Sequence, residues 1–243
     1  MIRPMLHHSA ASHRGAVRGT NQDAWLCRPE IGLFAVADGA GGHQDGALAA
    51  RTMLERLDAL PVACGPAGRL PDLRSGVSEA HRRLWQAGRA RRPPALLATT
   101  LVALLLHDRH FACVWAGDSR AYLLRDGRLH RLTSDHSLVQ ALVDAGDITE
   151  AEAERHPQGH VITRAIGAEA EAPALDKALG ELREGDRFLL CSDGLYRSLS
   201  EAAIAGRLAC DGDCAALLVE AALAVGARDN VTAVAVCATA VEE

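Results

Sequence analysis

Six runs of apolar residues along the chain have the length and composition of buried β-strands. They are rich in Val, Leu, Phe and Ala, and several of them end at Gly or Asp. The runs cover residues 31–37, 99–106, 110–117, 120–125, 187–191 and 231–239. Between 120–124 and 129–132 the chain reads Arg-Asp-Gly-Arg, and this Asp-Gly signal predicts a β-hairpin. The central part of the chain is therefore predicted to be an antiparallel meander.

Apolar residues at helical spacing predict two long helices, over residues 45–60 and 72–90, separated by a Pro/Gly-rich turn over 61–71. A further helix is predicted over 213–226. Because helix pairs interleave with antiparallel strands, without β-α-β alternation, the pattern favours an α+β fold over a doubly wound parallel sheet.

The segment 134–170 differs from the rest, because it is polar and is interrupted by Gly and Pro. Short helical pieces are predicted at 137–145 and 149–154. We interpret the segment as a flap inserted between strands, close to a functional site.

Length and composition fit one domain spanning residues 1–243. Hydrophobic residues make up 49% of the chain and charged residues 23%, as in ordinary globular proteins. A net charge of −5 and an aromatic content of 3% argue against a nucleic-acid partner, which needs a basic face and stacking platforms. We expect a monomer.

Seven cysteines, an odd number without a C-x-x-C pair, indicate a reducing compartment, and we expect a cytoplasmic location. Cys210 and Cys214 could form a metal clip, although a surface turn is favoured because no second ligand pair follows. Residues 1–14 contain no apolar core of a signal peptide, and the apolar stretch 96–106 is too short to span a bilayer. No membrane anchor is therefore expected.

One residue type recurs in one setting: an aspartate beside Gly or Asn, next to a strand-like run. The four instances are Asp38, Asp118, Asp193 and Asp229. Each could be ordinary turn chemistry, and Asp118 could pair with Arg120. Four such residues from distant parts of the chain suggest carboxylates that converge on hard cations.

Carboxylates without His or Cys at metal spacing favour Mg²⁺ or Mn²⁺ over Zn²⁺. The carbonyl of Gly39 could add an oxygen ligand. Two such cations would hold and deprotonate a water for in-line attack on phosphorus. The guanidinium of Arg18 is a candidate for binding the phosphate oxygens.

The ordered motifs resemble those of bacterial PP2C-type (PPM family) metal-dependent serine/threonine protein phosphatases. Residues 14–23 are similar to the first family motif, and the later matches are D-G-x-G-G-H at 38–43, G-D-S-R at 117–120, C-S-D-G-L at 191–195 and D-N-x-T at 229–232. Residues 135–139, 142–146 and 163–167 resemble the two ends of the family's flap. Any one match is weak, but the ordered set is specific.

The resemblance implies a four-layer α-β-β-α sandwich of two antiparallel sheets flanked by helices, with the metals at one end. It also implies roles. Asp38 would bridge two metals, and the Gly39 carbonyl would bind one of them. Asp193 and Asp229 would complete the site of the other metal. Asp118 would help Asp193 hold a third ion. Arg18 would bind the phosphate. The ions would be Mn²⁺ or Mg²⁺, two or three in number, and metal-bound water would be the nucleophile, so no phosphoenzyme is expected.

The implied substrates are proteins phosphorylated on serine or threonine, and the implied partner is a bacterial Hanks-type Ser/Thr kinase. Residues 28–33, which precede the Asp-Gly motif, resemble the corresponding segment of stand-alone phosphatases associated with type VI secretion loci.

Three alternatives remain. Gln22 stands where many relatives carry Glu, which leaves open a catalytically weak pseudophosphatase that acts as a binding or regulatory module. A regulator that dephosphorylates one anti-sigma-type antagonist is another, although such proteins often carry sensor domains. A phosphatase with an Asp nucleophile would need an early D-x-D motif, and Asp38 is instead followed by Gly and Ala.

Overall fold

The structure is a computed structural model that describes residues 5–40, 43–62, 66–153, 155–171 and 174–239. The predictions that involve residues 41–42 of the D-G-x-G-G-H motif, Cys64 and Glu154 lie outside these residues. The described residues form two sheets in which every neighbouring pair of strands is antiparallel.

The first sheet contains five strands. In spatial order they are β1 (Met5–His13), β11 (Val231–Thr239), β10 (Arg187–Cys191), β7 (Arg120–Arg125) and β8 (Arg128–Arg131). The second sheet has the order β2 (Asp23–Arg28), β3 (Leu33–Ala40), β5 (Leu101–His107), β6 (His110–Ala116) and β9 (Asp176–Glu181), and the short β4 (Ala98–Thr99) also pairs with β3.

Seven α-helices lie within the described residues. They are α1 (His43–Asp58), α2 (Pro66–Ala90), α3 (Leu138–Asp144), α4 (Glu150–Ala153), α5 (Asp193–Tyr196), α6 (Glu201–Leu208) and α7 (Cys214–Ala224). A 3₁₀ turn, Pro29–Ile31, precedes β3. None of these helices combines the length and the apolar character that crossing a membrane requires.

Three apolar cores show how the layers stack. Alternate residues of β3, β5 and β6 pack against α1 and α2, where Met53 is fully buried. The opposite faces of the two sheets meet around Phe34 and Phe188. The outer face of the first sheet packs against α6 and α7 through Tyr122 and Leu218. Because side chains alternate across a strand, each sheet supplies two apolar faces, and the predicted four-layer α-β-β-α sandwich is confirmed.

All six predicted strand runs are strands in the structure, and the predicted hairpin forms with Asp126 at φ 51° and Gly127 at φ 73°. Three further strands, β1, β2 and β9, were not predicted. Each of them lies at the edge of its sheet. An edge strand has one pairing neighbour and remains partly exposed, so it needs no continuous apolar run.

The predicted start of the second helix at residue 72, after a turn over 61–71, is wrong. Helix α2 begins at Pro66 and includes Pro71. Proline suits the first helical position, because its missing N–H has no partner there. Leu70 and Leu73 pack into the core beneath α1 and α2, and this packing offsets the hydrogen bond that Pro71 cannot donate. The short helices α5 and α6 were not predicted.

One end of the sandwich gathers the turns that matter for function. Strands β3, β6 and β10 end there, and β7 and β11 begin there. The chain crosses from the second sheet to the first through Gly117, Asp118 and Ser119. Gly117 has φ +109°, and a Cβ at this position would lie 2.6 Å from Cγ2 of Thr100. The crossing therefore requires glycine.

Candidate active site

A pocket of about 320 Å³ opens at this end of the sandwich. All six residues that the sequence singled out line it: Arg18, Asp38, Gly39, Asp118, Asp193 and Asp229. They come from five separate segments, and the fold brings them to one place because the strands beside them end or begin at the same end of the sandwich.

Asp38 is fixed through its backbone at the end of β3. Its N–H donates to Oγ1 of Thr100 at 2.9 Å, and its carbonyl accepts from the Thr100 N–H at 2.8 Å and from Oγ1 of Thr99 at 2.9 Å. The Thr100 hydroxyl also bonds Oγ of Ser119 at 2.7 Å, which ties β3 to the crossing between the sheets. Burial raises the pKa of the Asp38 carboxyl well above its ordinary value, and repulsion from neighbouring aspartates adds to the effect.

Gly39 lies against the backbone of α1. A Cβ at Gly39 would come within 2.0 Å of the Gly46 carbonyl oxygen, so only glycine allows this approach. A Cβ at Gly46 would in turn lie 2.2 Å from Nε2 of Gln22 and 2.6 Å from the Gly39 carbonyl oxygen. Gln22 thus reaches the position beside the Gly39 carbonyl, and its buried Nε2 has no hydrogen-bond partner among the described residues.

Asp118 lies in the crossing between the sheets and is 5% exposed. Burial, followed by the negative charge of Asp193, raises the pKa of its carboxyl to about 7. The alternative that Asp118 pairs with Arg120 is wrong. Arg120 instead donates from Nε and Nη2 to Asp135, with the shortest distance at 2.7 Å.

Asp193 begins α5, and Arg197, one turn later, is the residue that caps the end of this helix. The Nε of Arg197 donates to Oδ2 of Asp193 at 2.9 Å, and its Nη2 lies 3.8 Å from Oδ2 of Asp118. The same Nη2 donates to the Gly159 carbonyl of the 134–170 segment at 2.7 Å. Arg197 therefore joins two pocket carboxylates to the predicted flap. Burial still raises the pKa of Asp193, although Arg197 opposes the shift.

Arg18 and Asp229 form a bidentate ion pair at the mouth of the pocket. Nε and Nη2 of Arg18 donate to the two carboxylate oxygens of Asp229, each at 2.7 Å. Asn230 organises the loop that carries Arg18, because its side chain accepts from the Gln22 N–H and donates to the carbonyls of Arg14 and Thr20.

Two residues of the predicted flap, His160 and Ile162, also line the pocket. An isolated bridge between Ser137 and Ile162 and a 2.8 Å bond from the Thr163 N–H to the His136 carbonyl hold this part of the segment. The segment thus contributes to one side of the pocket, and its assignment as a flap stays a prediction.

The donor set fits hard cations. Four carboxylates face one pocket. Burial raises the pKa of Asp38, Asp118 and Asp193, and repulsion from neighbouring carboxylates adds to the effect, so cations there would relieve the repulsion. Asp23 adds a buried Oδ1 without a partner among the described residues, while its Oδ2 accepts from Ser192 and Thr232 at 2.7 Å. No three acidic, His or Cys side chains within the described ranges already form a metal-holding group. Arg18 and Arg197 instead neutralise Asp229 and Asp193.

Sequence reasoning did not identify Arg197 or Asn230 as part of the site. Arg197 follows Asp193 at a spacing of four, which on a helix places the two side chains together, but no helix was predicted over 193–196. The role of Asn230 depends on loop contacts with residues more than two hundred positions away, for which the sequence carries no local signal.

Comparison with known proteins points to one family. The sequence profile of the protein phosphatase 2C family matches residues 11–213. The serine/threonine protein phosphatase PstP of Mycobacterium tuberculosis is 38% identical over 234 residues, which are 95% of this chain and 44% of that protein, so the chain spans less than half of that relative's length.

Two solved structures are similar along nearly their whole length. PppA, described as a key regulatory component of T6SS in Pseudomonas aeruginosa, has a TM-score of 0.88 at 36% identity, with 96% of this chain and 97% of that chain covered. The catalytic domain of PstP in complex with two manganese ions has a TM-score of 0.84 at 35% identity, with 96% and 98% covered.

Proposed function

The chain belongs to the protein phosphatase 2C family, and from this premise we propose that it is a metal-dependent protein phosphatase that hydrolyses phosphoserine and phosphothreonine. The observation that carries the proposal is the convergence of Asp38, Asp118, Asp193 and Asp229 on one pocket with Arg18 at its mouth. Carboxylates that gather hard cations, next to a guanidinium that matches a phosphate, are the groups that this hydrolysis needs.

The metal-holding residues in this proposal are Asp38, Asp118, Asp193 and Asp229 with the Gly39 carbonyl, and the ions are two or three Mn²⁺ or Mg²⁺. When bound, they supply Lewis-acid activation of the attacking water and neutralise phosphate charge. The PstP catalytic domain, which is similar along nearly its whole length, binds two manganese ions, and this supports the assignment.

The remaining roles belong to the protein's own residues. The guanidinium of Arg18 moves from Asp229 to the phosphate oxygens, which it holds in the same bidentate manner. The 134–170 flap restricts access of bulk water on one side, where His160 and Ile162 line the pocket. Because no side chain is placed as a nucleophile in this scheme, water attacks the phosphorus directly and no phosphoenzyme forms.

The substrates in this proposal are phosphoproteins, and a bacterial Ser/Thr kinase is the partner whose action the enzyme reverses. We also propose that the chain is one domain over residues 1–243 and acts as a monomer. The similarity to PppA supports a role near type VI secretion.

Phosphate release from a phosphothreonine peptide tests the proposal. It is measured with Mn²⁺, with Mg²⁺ and with EDTA, in the wild type and in Asp193→Asn. Release should require metal and should fall at least about 100-fold in the variant, because a metal site loses its charge. Asp126→Asn is the matched control, since Asp126 is exposed in a distant hairpin and Asn tolerates its positive φ.

Near-wild-type activity of folded Asp193→Asn would overturn the assignment of this carboxylate. Absence of release by folded wild-type protein under every metal condition would instead favour the binding-module alternative, in which Gln22 weakens the metal site.

A further inference from the structure

A second groove lies directly beside the catalytic pocket. Its volume is about 590 Å³, and it shares Arg18 and Asp229 with that pocket. We call it the Val225 groove and define it by Val17, Val225 and Arg228, which line it together with the two shared residues. Since the two cavities share Arg18, a substrate phosphate held there would place the adjoining part of the substrate at the groove.

The Val225 groove exposes two apolar side chains. Val17 is 61% exposed and Val225 is 64% exposed. They reach the same groove from opposite ends of the sequence, because the Val17 N–H bonds the Arg228 carbonyl at 3.3 Å and the Ala16 N–H bonds the Ala227 carbonyl at 2.9 Å. A substrate side chain that covered both valines would gain free energy by removing apolar surface from water.

The groove also carries an uncommitted positive charge. Arg18 is paired with Asp229, and Arg197 is paired with Asp193. Arg228 is exposed and forms no ion pair with any residue that the structure describes. An acidic side chain beside the phosphorylated residue would therefore find a partner in Arg228 without displacing an existing ion pair.

Another cavity beside the catalytic pocket carries exposed negative charge. A cavity of about 340 Å³ shares Ala40 and Ile162 with the catalytic pocket. Its charged lining residues are Glu169, Glu171 and Arg164, and Arg164 is paired with Asp176. Both glutamates are exposed. The catalytic pocket thus adjoins a flank with a free arginine and a flank with two glutamates, and this difference gives a bound chain a preferred direction.

We propose that the Val225 groove binds the substrate segment on one side of the phosphorylated residue and selects an apolar and an acidic side chain within it. The inference rests on the proposed phosphatase function and adds the substrate class. An extended chain advances about 3.3 Å per residue, so the two or three residues next to the phosphorylated one cover about 7 to 10 Å of the surface beside Arg18.

The test compares phosphothreonine peptides that carry a Val-Glu-Glu flank or a Val-Lys-Lys flank, placed on the N-terminal or on the C-terminal side. The variant is Val225→Asp/Arg228→Glu, and para-nitrophenyl phosphate, which has no flanking residues, reports the catalytic pocket alone. In this variant, kcat/KM for one of the two acidic-flank peptides should fall by about tenfold relative to the wild type. For the basic-flank peptide with the flank on the same side, kcat/KM should rise. Hydrolysis of para-nitrophenyl phosphate should stay within about twofold of wild type, since neither residue touches the phosphate.

The matched control, Val62→Asp/Arg128→Glu, makes the same two changes at exposed positions at the far end of the sandwich. It should leave the peptide preference as in the wild type. If the groove variant hydrolyses all four peptides with the wild-type preference, the inference is wrong while the phosphatase proposal stands. If the wild type hydrolyses neither peptides nor para-nitrophenyl phosphate, the proposed function itself fails.

Discussion

Arg18 and Asp229 hold each other in a bidentate ion pair although 211 positions separate them in the sequence. The hydrogen bonds that Arg18 donates to Asp229 raise the pKa of Arg18 above its ordinary value, and the negative charge of Asp229 is the next cause. The same guanidinium is proposed to bind phosphate, and the same carboxylate is proposed to bind metal. The ion pair therefore competes with phosphate for Arg18 and with metal for Asp229, and binding of these ligands must break it.

The first prediction concerns Arg18→Ala. Loss of the guanidinium should raise KM for a phosphothreonine peptide by about 10- to 100-fold, because a hydrogen bond to a charged group is lost, and should change kcat less. The Kd for Mn²⁺ should not increase, since Asp229 loses its competitor. Steady-state kinetics and calorimetric Mn²⁺ titration measure the two effects.

Arg18→Lys is the matched control, because it keeps the charge but cannot bind two oxygens in parallel. Its KM should lie between those of the wild type and Arg18→Ala. Loss of Mn²⁺ binding in Arg18→Ala would show that Arg18 supports the structure of the metal site, against the role proposed for it.

The second prediction concerns Arg197, which bonds Asp193 and the Gly159 carbonyl at once. Arg197→Ala should loosen this part of the flap, so the Gly159 and Val161 amides should exchange hydrogen about tenfold faster or more. The Ala235 amide in β11 should keep its rate.

Arg197→Lys distinguishes the effect of the positive charge from the effect of the second hydrogen bond, which goes to the Gly159 carbonyl. Its single ammonium can pair with Asp193 but lacks the planar fork that also contacts the flap carbonyl, so exchange at Gly159 should resemble that of the alanine variant. Wild-type exchange in both variants would mean that other contacts, such as the bridge between Ser137 and Ile162, hold the flap.

The sequence predicted the central strands well because both of their faces are buried. Val102 and Leu104 face the space between the sheets, while Leu101 and Ala103 face α1 and α2, so the run is apolar without interruption. The edge strands lack this signal. In β1, for example, His7 and His8 are exposed, and the strand is specified by its pairing with β11 across the whole length of the chain.

The functional site likewise contains features that the sequence predicted and features that it did not. The four aspartates could be predicted because each follows or precedes a recognisable strand, and the Gly39 position because its motif is local. The ion pairs could not, since Arg18 meets Asp229 only after the two termini pair through β1 and β11. Arg197 was missed because its helix, α5, has only four residues and no apolar period.

The third prediction concerns the crossing between the sheets. Gly117→Ala places a Cβ 2.6 Å from Thr100 Cγ2 at φ +109°, whereas Gly127→Ala, at φ +73°, meets no atom within 4 Å. At φ +73°, near the left-handed region, alanine costs about 1 kcal/mol in backbone strain, and at φ +109°, beyond that region, the strain is at least as large. The free energy of unfolding, measured with urea, should therefore fall by about 1 kcal/mol for Gly127→Ala and by at least about 3 kcal/mol for Gly117→Ala.

Equal losses in the two glycine variants would show that the Thr100 side chain yields without cost. In that case Asp118 would keep its place, and phosphatase activity of Gly117→Ala should match that of Gly127→Ala.

The last prediction concerns pH and His81, a buried residue of α2 whose Nδ1 accepts the Gly167 N–H at 3.0 Å. Burial lowers the pKa of His81 below its ordinary value of 6.5, although Glu169 opposes the shift. The folded protein thus favours neutral His81, and the unfolded chain takes up the proton first as pH falls. Stability contributed by His81 is present above about pH 6.5 and is lost below it, by up to about 2 kcal/mol at pH 5.

His81→Gln removes this titration and keeps an acceptor for the Gly167 N–H. Urea unfolding at pH 7 and pH 5, in EDTA so that metal binding does not contribute, should show a smaller loss of stability on acidification for His81→Gln than for the wild type. His130→Gln changes an exposed histidine and should retain the wild-type loss. If acidification costs the wild type and His81→Gln the same free energy, His81 must accept its proton in the folded state, and its contact with the end of the flap would then have to tolerate a charged imidazole.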